Sequence, residues 1–156
     1  MKAININGQI KEYSVLPKSW DNVIGGFNLL SDSELQNYGF YDIEIPTDYN
    51  SSIHNLGDIY WDESNNVFKK DISNKTWSQT LEELKENKIN SFKLEVKNLL
   101  NDTDWYIIRN AETGASIPSS VSTERLNLRT QTDTVTSEIN ALTTKQEVIV
   151  YEFPII

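Results

Sequence analysis

The sequence contains no cysteine, one histidine (His54) and one methionine in 156 residues, and each shortage closes off some chemistry. Without cysteine there is neither a disulfide framework nor a thiolate metal site. With a single histidine a two-His metal site cannot form, and a Ser-His-Asp triad would have to be built around His54. That residue lies in the polar run Asn50-Ser-Ser-Ile-His54-Asn55, which reads as a solvated loop. Long apolar runs are missing too. The opening Met1-Lys2-Ala3-Ile4-Asn5-Ile6-Asn7-Gly8 has no hydrophobic leader region, and nothing approaches the roughly 20 apolar residues of a membrane span. The sequons at Asn50, Asn74 and Asn101 therefore carry no expectation of glycosylation.

Basic residues are few: 14 Lys and Arg stand against 23 Asp and Glu, for a net charge of −9. Both halves are acidic, with six basic against eleven acidic residues in 1–77 and eight against twelve in 78–156. Nucleic-acid binding needs clustered cations to neutralise phosphates, so none is expected, and the same reasoning speaks against anionic membranes. Gly25-Gly26 is too short for a phosphate loop. Asp62-Glu-Ser64-Asn-Asn66 places oxygen donors at alternate positions but lacks the Gly and Glu of a calcium loop, and reads as a hairpin turn. The pairs Asp102/Asp104 and Glu82/Glu83 are what 23 acids produce by chance; capping explains Asp102 and Asp104 more simply. A glycan hydrolase would need two buried carboxylates facing across a groove, which no spacing here singles out. No catalytic residue, cofactor or metal is expected.

What is present is enough to fold. Hydrophobic residues make up 38% of the chain and aromatics 10%, too many for a solvated tail. The length suits one domain or two small modules. Ile4 and Ile6, then Asn7-Gly8, then Ile10, Tyr13 and Val15 predict a β-hairpin, because Asn-Gly accepts the positive φ angles of a type I′ turn. Residues 16–30, with Pro17, Gly25-Gly26, Trp20 and Phe27, predict a structured loop. Ser31-x-x-Glu34 is a capping box for a helix over 32–38 ending at Gly39. Tyr41, Ile43 and Ile45 alternate as a strand up to Pro46. Leu56–Trp61 and Val67-Phe68 flank a second hairpin turn.

At Thr76 the composition changes, which predicts a β-rich module over 1–75 and a helical one over 76–156. Thr76-x-x-Gln79 reads as a capping box, and Leu81, Leu84, Phe92, Val96, Leu99 and Leu100 predict a long amphipathic helix over 81–100. A second helix, 104–112, is capped by Asp102 or Thr103 and ends near Gly114; a third starts at Pro118 and reaches about Thr130. The Thr-rich stretch 130–144 predicts a short separate helix, and Val148-Ile-Val-Tyr-Glu-Phe153 a terminal strand stopped by Pro154. The fold class expected is α+β: a β-rich N-terminal half with hairpins, a three-helix C-terminal module and a terminal β-strand.

Trp20, Trp61, Trp77 and Trp105 are spread along the chain, and aromatics with Arg concentrate at protein interfaces, although core packing is the commoner fate of a Trp. All three arginines fall in the second and third predicted helices. Trp105 and Arg109 are one turn apart, as are Arg125 and Arg129, so each pair shares a face. Either these side chains form a docking face or the arginines tie the two helices together through Asp102, Asp104, Glu112 or Glu124.

The stretch Val96-Lys-Asn-Leu-Leu-Asn-Asp-Thr-Asp-Trp105-Tyr-Ile-Ile-Arg109-Asn-Ala-Glu-Thr-Gly114, with Ile117-Pro118 and Arg125-Leu-Asn-Leu-Arg129, resembles the helical module of phage tail assembly chaperones and tail-fibre assembly proteins over about residues 90–130. In that family a Leu-Leu-like pair ends one helix, Asp-Trp opens the next, and Arg-x-x-x-Arg follows a Pro. The chain departs from it at Ser122-Thr123-Glu124, where the family often carries a bulky residue before the first Arg. The resemblance implies a non-enzymatic protein of the host cytoplasm that binds a tail or tail-fibre polypeptide during assembly, with Trp105, Arg109, Arg125 and Arg129 as contact residues. The alternative it leaves open is a structural virion component, a tail adaptor or fibre-tip protein, self-associating within the particle.

Overall fold

The computed structural model describes residues 1–156, and the chain divides into two compact units, Met1–Lys75 and Thr76–Ile156. The fold is α+β, with the sheet in the first unit and four helices in the second.

The first unit opens with a hairpin of β1 (Lys2–Ile6) and β2 (Gln9–Tyr13). Its turn is held by Asn7 and Gly8 at φ 54 and 85, while the Gly8 N–H donates to Asn5 Oδ1 at 2.9 Å. Helix α1 (Asp32–Asn37) starts at Ser31, whose reciprocal bonds with Glu34 complete the expected capping box, and Gly39 follows at φ 82. Strands β3 (Tyr41–Glu44), β4 (His54–Asp62) and β5 (Val67–Asn74) complete a five-stranded sheet ordered β2-β1-β3-β5-β4. The second hairpin is longer than predicted and includes His54. Its register shifts between Leu56 and Ile59, around Gly57, which leaves an irregularity on the edge strand of the kind that discourages edge-to-edge pairing.

The sheet curls. In a flat sheet β2 and β5 would lie three strand spacings apart, about 14 Å. Yet Glu12 on β2 and Lys70 on β5 form an ion pair at 2.7 Å. On one face Ile4, Phe27, Leu35 and Phe40 form the core, and the loop 16–30 is ordered because it feeds that core: Trp20 meets Phe40 edge-on at 4.9 Å, and Phe27 meets it at 5.3 Å. Tyr41, Trp61 and Phe68 form a second aromatic cluster, with Trp61 at 4.7 Å from Tyr41.

The second unit is built on two long helices, α2 (Leu81–Asn101) and α4 (Ser119–Ala141), with α3 (Asp104–Thr113) between them and α5 (Lys145–Val150) after them. The cap of α2 is Thr80 with Glu83, one turn later than Thr76 with Gln79; Glu can accept both N-cap N–H and hydroxyl, and Thr80 lies immediately before the apolar periodicity. The expected break near Thr130 does not occur. In α4 the inward positions Val121, Arg125, Leu128, Thr132, Val135 and Ile139 recur at four-three spacing, so one seam runs through the Thr-rich stretch. Thr130, Thr132 and Thr134 fit the helix by donating their hydroxyls to the carbonyls of Leu126, Leu128 and Thr130, four residues back.

Two cations lock this pair. Neither long helix has a basic residue in its own last turn, where the final carbonyls lack partners and the helix dipole is negative. Lys85 of α2, 8% exposed, donates to the Asn140 carbonyl at 3.1 Å, and Arg125 of α4, also 8% exposed, donates to the Leu100 carbonyl at 2.8 Å. Each helix therefore caps the end of the other, which also shows that they run antiparallel.

The terminal strand over 148–153 is not formed. Thr144 and Glu147 form a third capping box that starts α5, and Val148 is buried in a helical turn. Residues 151–156 have no regular secondary structure and no strand partner. They are held through side chains: Tyr151, Phe153 and Ile156 pack on the core of Ile89, Phe92, Val96, Leu128, Val135 and Ile139, while Ile155 is 99% exposed. Phe153 lies 5.1 Å from Phe92, and the Lys88 ammonium sits over its ring. The module thus has four helices, not three, and its last segment is a strap instead of a strand.

Candidate protein-binding surface

The structure separates the four predicted contact residues into three environments. Arg125 is an internal tie. Its Nη1 donates to the Leu100 carbonyl and to Thr103 Oγ1 at 2.6 Å, and its Nη2 pairs with Asp104 at 2.9 Å. One guanidinium thus fastens the end of α2, the turn after it and the start of α3 to α4, using Asp104 from among the carboxylates that sequence had suggested. The same arrangement explains why Thr103 caps nothing with its side chain: its hydroxyl donates back to Leu100.

Trp105 and Arg109 lie together on α3. No residue of this helix is buried. Trp105 is 49% exposed, Ile108 is 56% exposed, and Ile107 is also exposed. Trp105, Ile108 and Arg109 share a face at helical spacing. The Trp105 ring stacks on Tyr106 with centroids 3.8 Å apart, and the Arg109 guanidinium covers it at 5.0 Å. Arg109 forms no ion pair, so its donors stay free while its position over the ring is restrained by cation–π attraction. Helix α3 is stopped by Gly114, whose φ of 72 permits its N–H to donate to Asn110.

Arg129 is exposed and belongs to a different place: it lines a shallow groove with Lys93, Val96, Lys97, Leu100, Thr132 and Asp133. Sequence reasoning missed Lys93 and Lys97. Their four-residue spacing on α2 was visible, but nothing in the sequence alone set the register that brings them opposite Arg129.

The residues considered for other chemistry have structural duties. His54 Nδ1 accepts the Asn50 N–H at 3.1 Å and closes a turn. Asp62 accepts from the Ser64 N–H and the Asn65 amide and pairs with Lys69; the hydrogen bond from Lys69 leads in holding its carboxyl down at about 2. Glu34, Glu83 and Glu147 are lowered by their capping contacts with Ser31, Thr80 and Thr143–Thr144. Glu82 meets Lys85 at 3.5 Å. No group of three or more His, Asp or Glu side chains is arranged to hold a metal ion, and no helix is long and apolar enough to cross a membrane.

No protein-family model matches the chain, and no curated protein or solved structure is significantly similar to it.

Proposed function

We propose that this is a non-enzymatic protein-binding protein that acts in building a phage tail, docking a tail or tail-fibre polypeptide on the exposed face of α3. The observation that carries the binding part is the outward display of Trp105, Ile108 and Arg109 on one face of a helix with no buried residue. Contiguous large apolar side chains in water mark interaction sites, and Trp with Arg supplies rigid contact area and planar donors at low entropic cost. The tail assignment rests on the resemblance of residues 90–130 to tail assembly chaperones.

The experiment has two arms. Purified virions and infected-cell lysate are compared by mass spectrometry for the protein: presence in lysate only supports a departing chaperone, fixed stoichiometry in virions supports a retained adaptor, and presence in neither sinks the tail assignment. Co-expressed tail-fibre polypeptide is then captured with wild type, Trp105→Ala and Arg109→Ala. Capture reduced about tenfold or more, as expected for a central aromatic contact, with an unchanged circular dichroism spectrum, is the supporting result. Undiminished capture by both variants refutes the α3 surface.

A further inference from the structure

The α2–α4 pair has two flanks, and the C-terminal segment lies along one of them, with an open cleft left between it and α4. On the first, residues 151–156 lie along Asn127, Gln131, Thr134 and Glu138 of α4, with Phe153 on Phe92, Lys88 over Phe153, and the Tyr151 hydroxyl bonded to Glu138. On the second is the groove of Lys93, Val96, Lys97, Leu100, Arg129, Thr132 and Asp133, about 270 Å³ in volume and open to solvent. Helical spacing puts Arg129 and Asp133 on the side of α4 away from Asn127, Gln131 and Thr134.

The charge of the second flank runs against that of the chain. The helical unit is acidic, yet Lys93, Lys97 and Arg129 form no ion pair, although Asp133 sits on the same rim. Of the other cations of this unit, Lys85 and Arg125 sit on helix ends, Lys145 on the Trp77 carbonyl and Lys88 on Phe153, while Arg109 lies over Trp105 with its donors free. Three cations without ion pairs around the partly exposed Leu100 and the edge of Val96, itself 4% exposed, call for a ligand with carboxylates outside and a small apolar contact inside.

We infer that this groove is a second docking site, taking an acidic amphipathic peptide segment of a partner protein, with an apolar side chain against Leu100 and its carboxylates on Lys93, Lys97 and Arg129. The occupied flank shows the packing such a segment would adopt: side chains inserted at intervals, a Lys contacting the occupant, and no backbone ladder. The apolar contact at Leu100 favours a peptide over a polyphosphate, which would find no use for it. The site does not depend on whether the partner is a tail protein.

The probe is a fluorescein-labelled synthetic peptide of about four helical turns, with Leu on one face and Glu on its flanks, followed by anisotropy on the full chain. Saturable binding that weakens with added salt is expected. Reversal in Lys93→Glu/Lys97→Glu/Arg129→Glu should cost at least about tenfold in affinity, the combined effect of three rim ion pairs. The neutral set Lys93→Gln/Lys97→Gln/Arg129→Gln, with circular dichroism as a folding control, should show an intermediate loss. Binding unaffected by both triple variants overturns the site. An all-Glu peptide without Leu that binds equally well overturns the role of the apolar contact at Leu100, and tighter binding of a single-stranded oligonucleotide overturns the peptide assignment. Because the probe is not a tail polypeptide, failure here leaves the capture experiment on α3 independent.

Discussion

Replacing Arg125 by Ala should destabilise the helical unit far more than it disturbs any binding. Arg125 is 8% exposed, and its guanidinium makes three contacts, to the Leu100 carbonyl, Thr103 Oγ1 and Asp104. A hydrogen bond involving a charged group contributes about 1.5–3 kcal/mol when shielded. The Asp104 side chain is 49% exposed, so its share falls to about 0.5 kcal/mol, as for a surface pair. Leu100 keeps the N–H and hydroxyl of Thr103 as donors after the substitution, which spares it the full penalty of an orphaned carbonyl. Adding the lost packing of the Arg stem gives about 3 kcal/mol for Arg125→Ala. With a urea slope of about 1 kcal/mol per molar for a unit of this size, the midpoint should fall by about 3 M. Arg125→Met keeps the stem and leaves partners that can satisfy one another or meet water, so it should cost only about 1 kcal/mol. Far-UV circular dichroism in urea reads the right unit, since all the long helices lie there. If the Ala variant unfolds at the wild-type midpoint, or Met costs as much as Ala, the assignment of Arg125 as a structural tie through its stem and shielded bonds is refuted.

Three more expectations follow from side chains described above. Phe153→Ala should cost about 2 kcal/mol, part of the full price of a buried Phe because the ring is half-buried, and limited proteolysis should then cut residues 151–156 faster; equal cleavage would show that the strap is not held by that ring. Tyr151 is pushed up to about 12, first by burial and then by its bond to the Glu138 carboxylate, so the fold favours its neutral form. Stability from it is present below pH 10 and is lost as pH rises toward 12, and ultraviolet titration should show a late tyrosinate step absent from Tyr151→Phe. Asp62 is held at about 2 against an ordinary 3.8, so its contribution is present above the higher value and lost as pH falls through the lower; Asp62→Asn should remove that part of the acid dependence, read by fluorescence between about pH 4 and 2.

The elements carried by local rules could be read from the sequence. Asn7-Gly8, Ser31-x-x-Glu34 and the alternation at Tyr41–Ile45 each specify backbone geometry within a few residues, and the structure has the hairpin, helix and strand there. Two features were settled by partners distant in sequence. The Thr-rich stretch favours strands by itself, but the seam through Leu128, Thr132, Val135 and Ile139 packs on α2 and keeps it helical. The β-branched run at Val148–Val150 met a capping box and a helical surface, with no strand edge at hand in that unit, and became a helical turn followed by a strap. The candidate surface was legible where it depended on one helix, as with Trp105 and Arg109. It was not legible where it depended on two, as with Arg129 and its neighbours Lys93 and Lys97; for Arg125 the sequence offered Asp104, which it meets, but not the Leu100 carbonyl and Thr103 hydroxyl beside it.

The two buried cations also act as a gauge. Lys85 and Leu100 stand fifteen residues apart on α2, and Arg125 and Asn140 stand fifteen apart on α4, so both contacts close together only when the helices are cut to the same length. They are a pair of dowels about 22 Å apart at 1.5 Å per residue. A residue inserted between them in one helix leaves one dowel without its hole, whereas matched insertions of a whole heptad in both helices restore the fit. Length changes in this part of the chain are therefore tolerated only in concert, and descendants of this fold should lengthen or shorten α2 and α4 together.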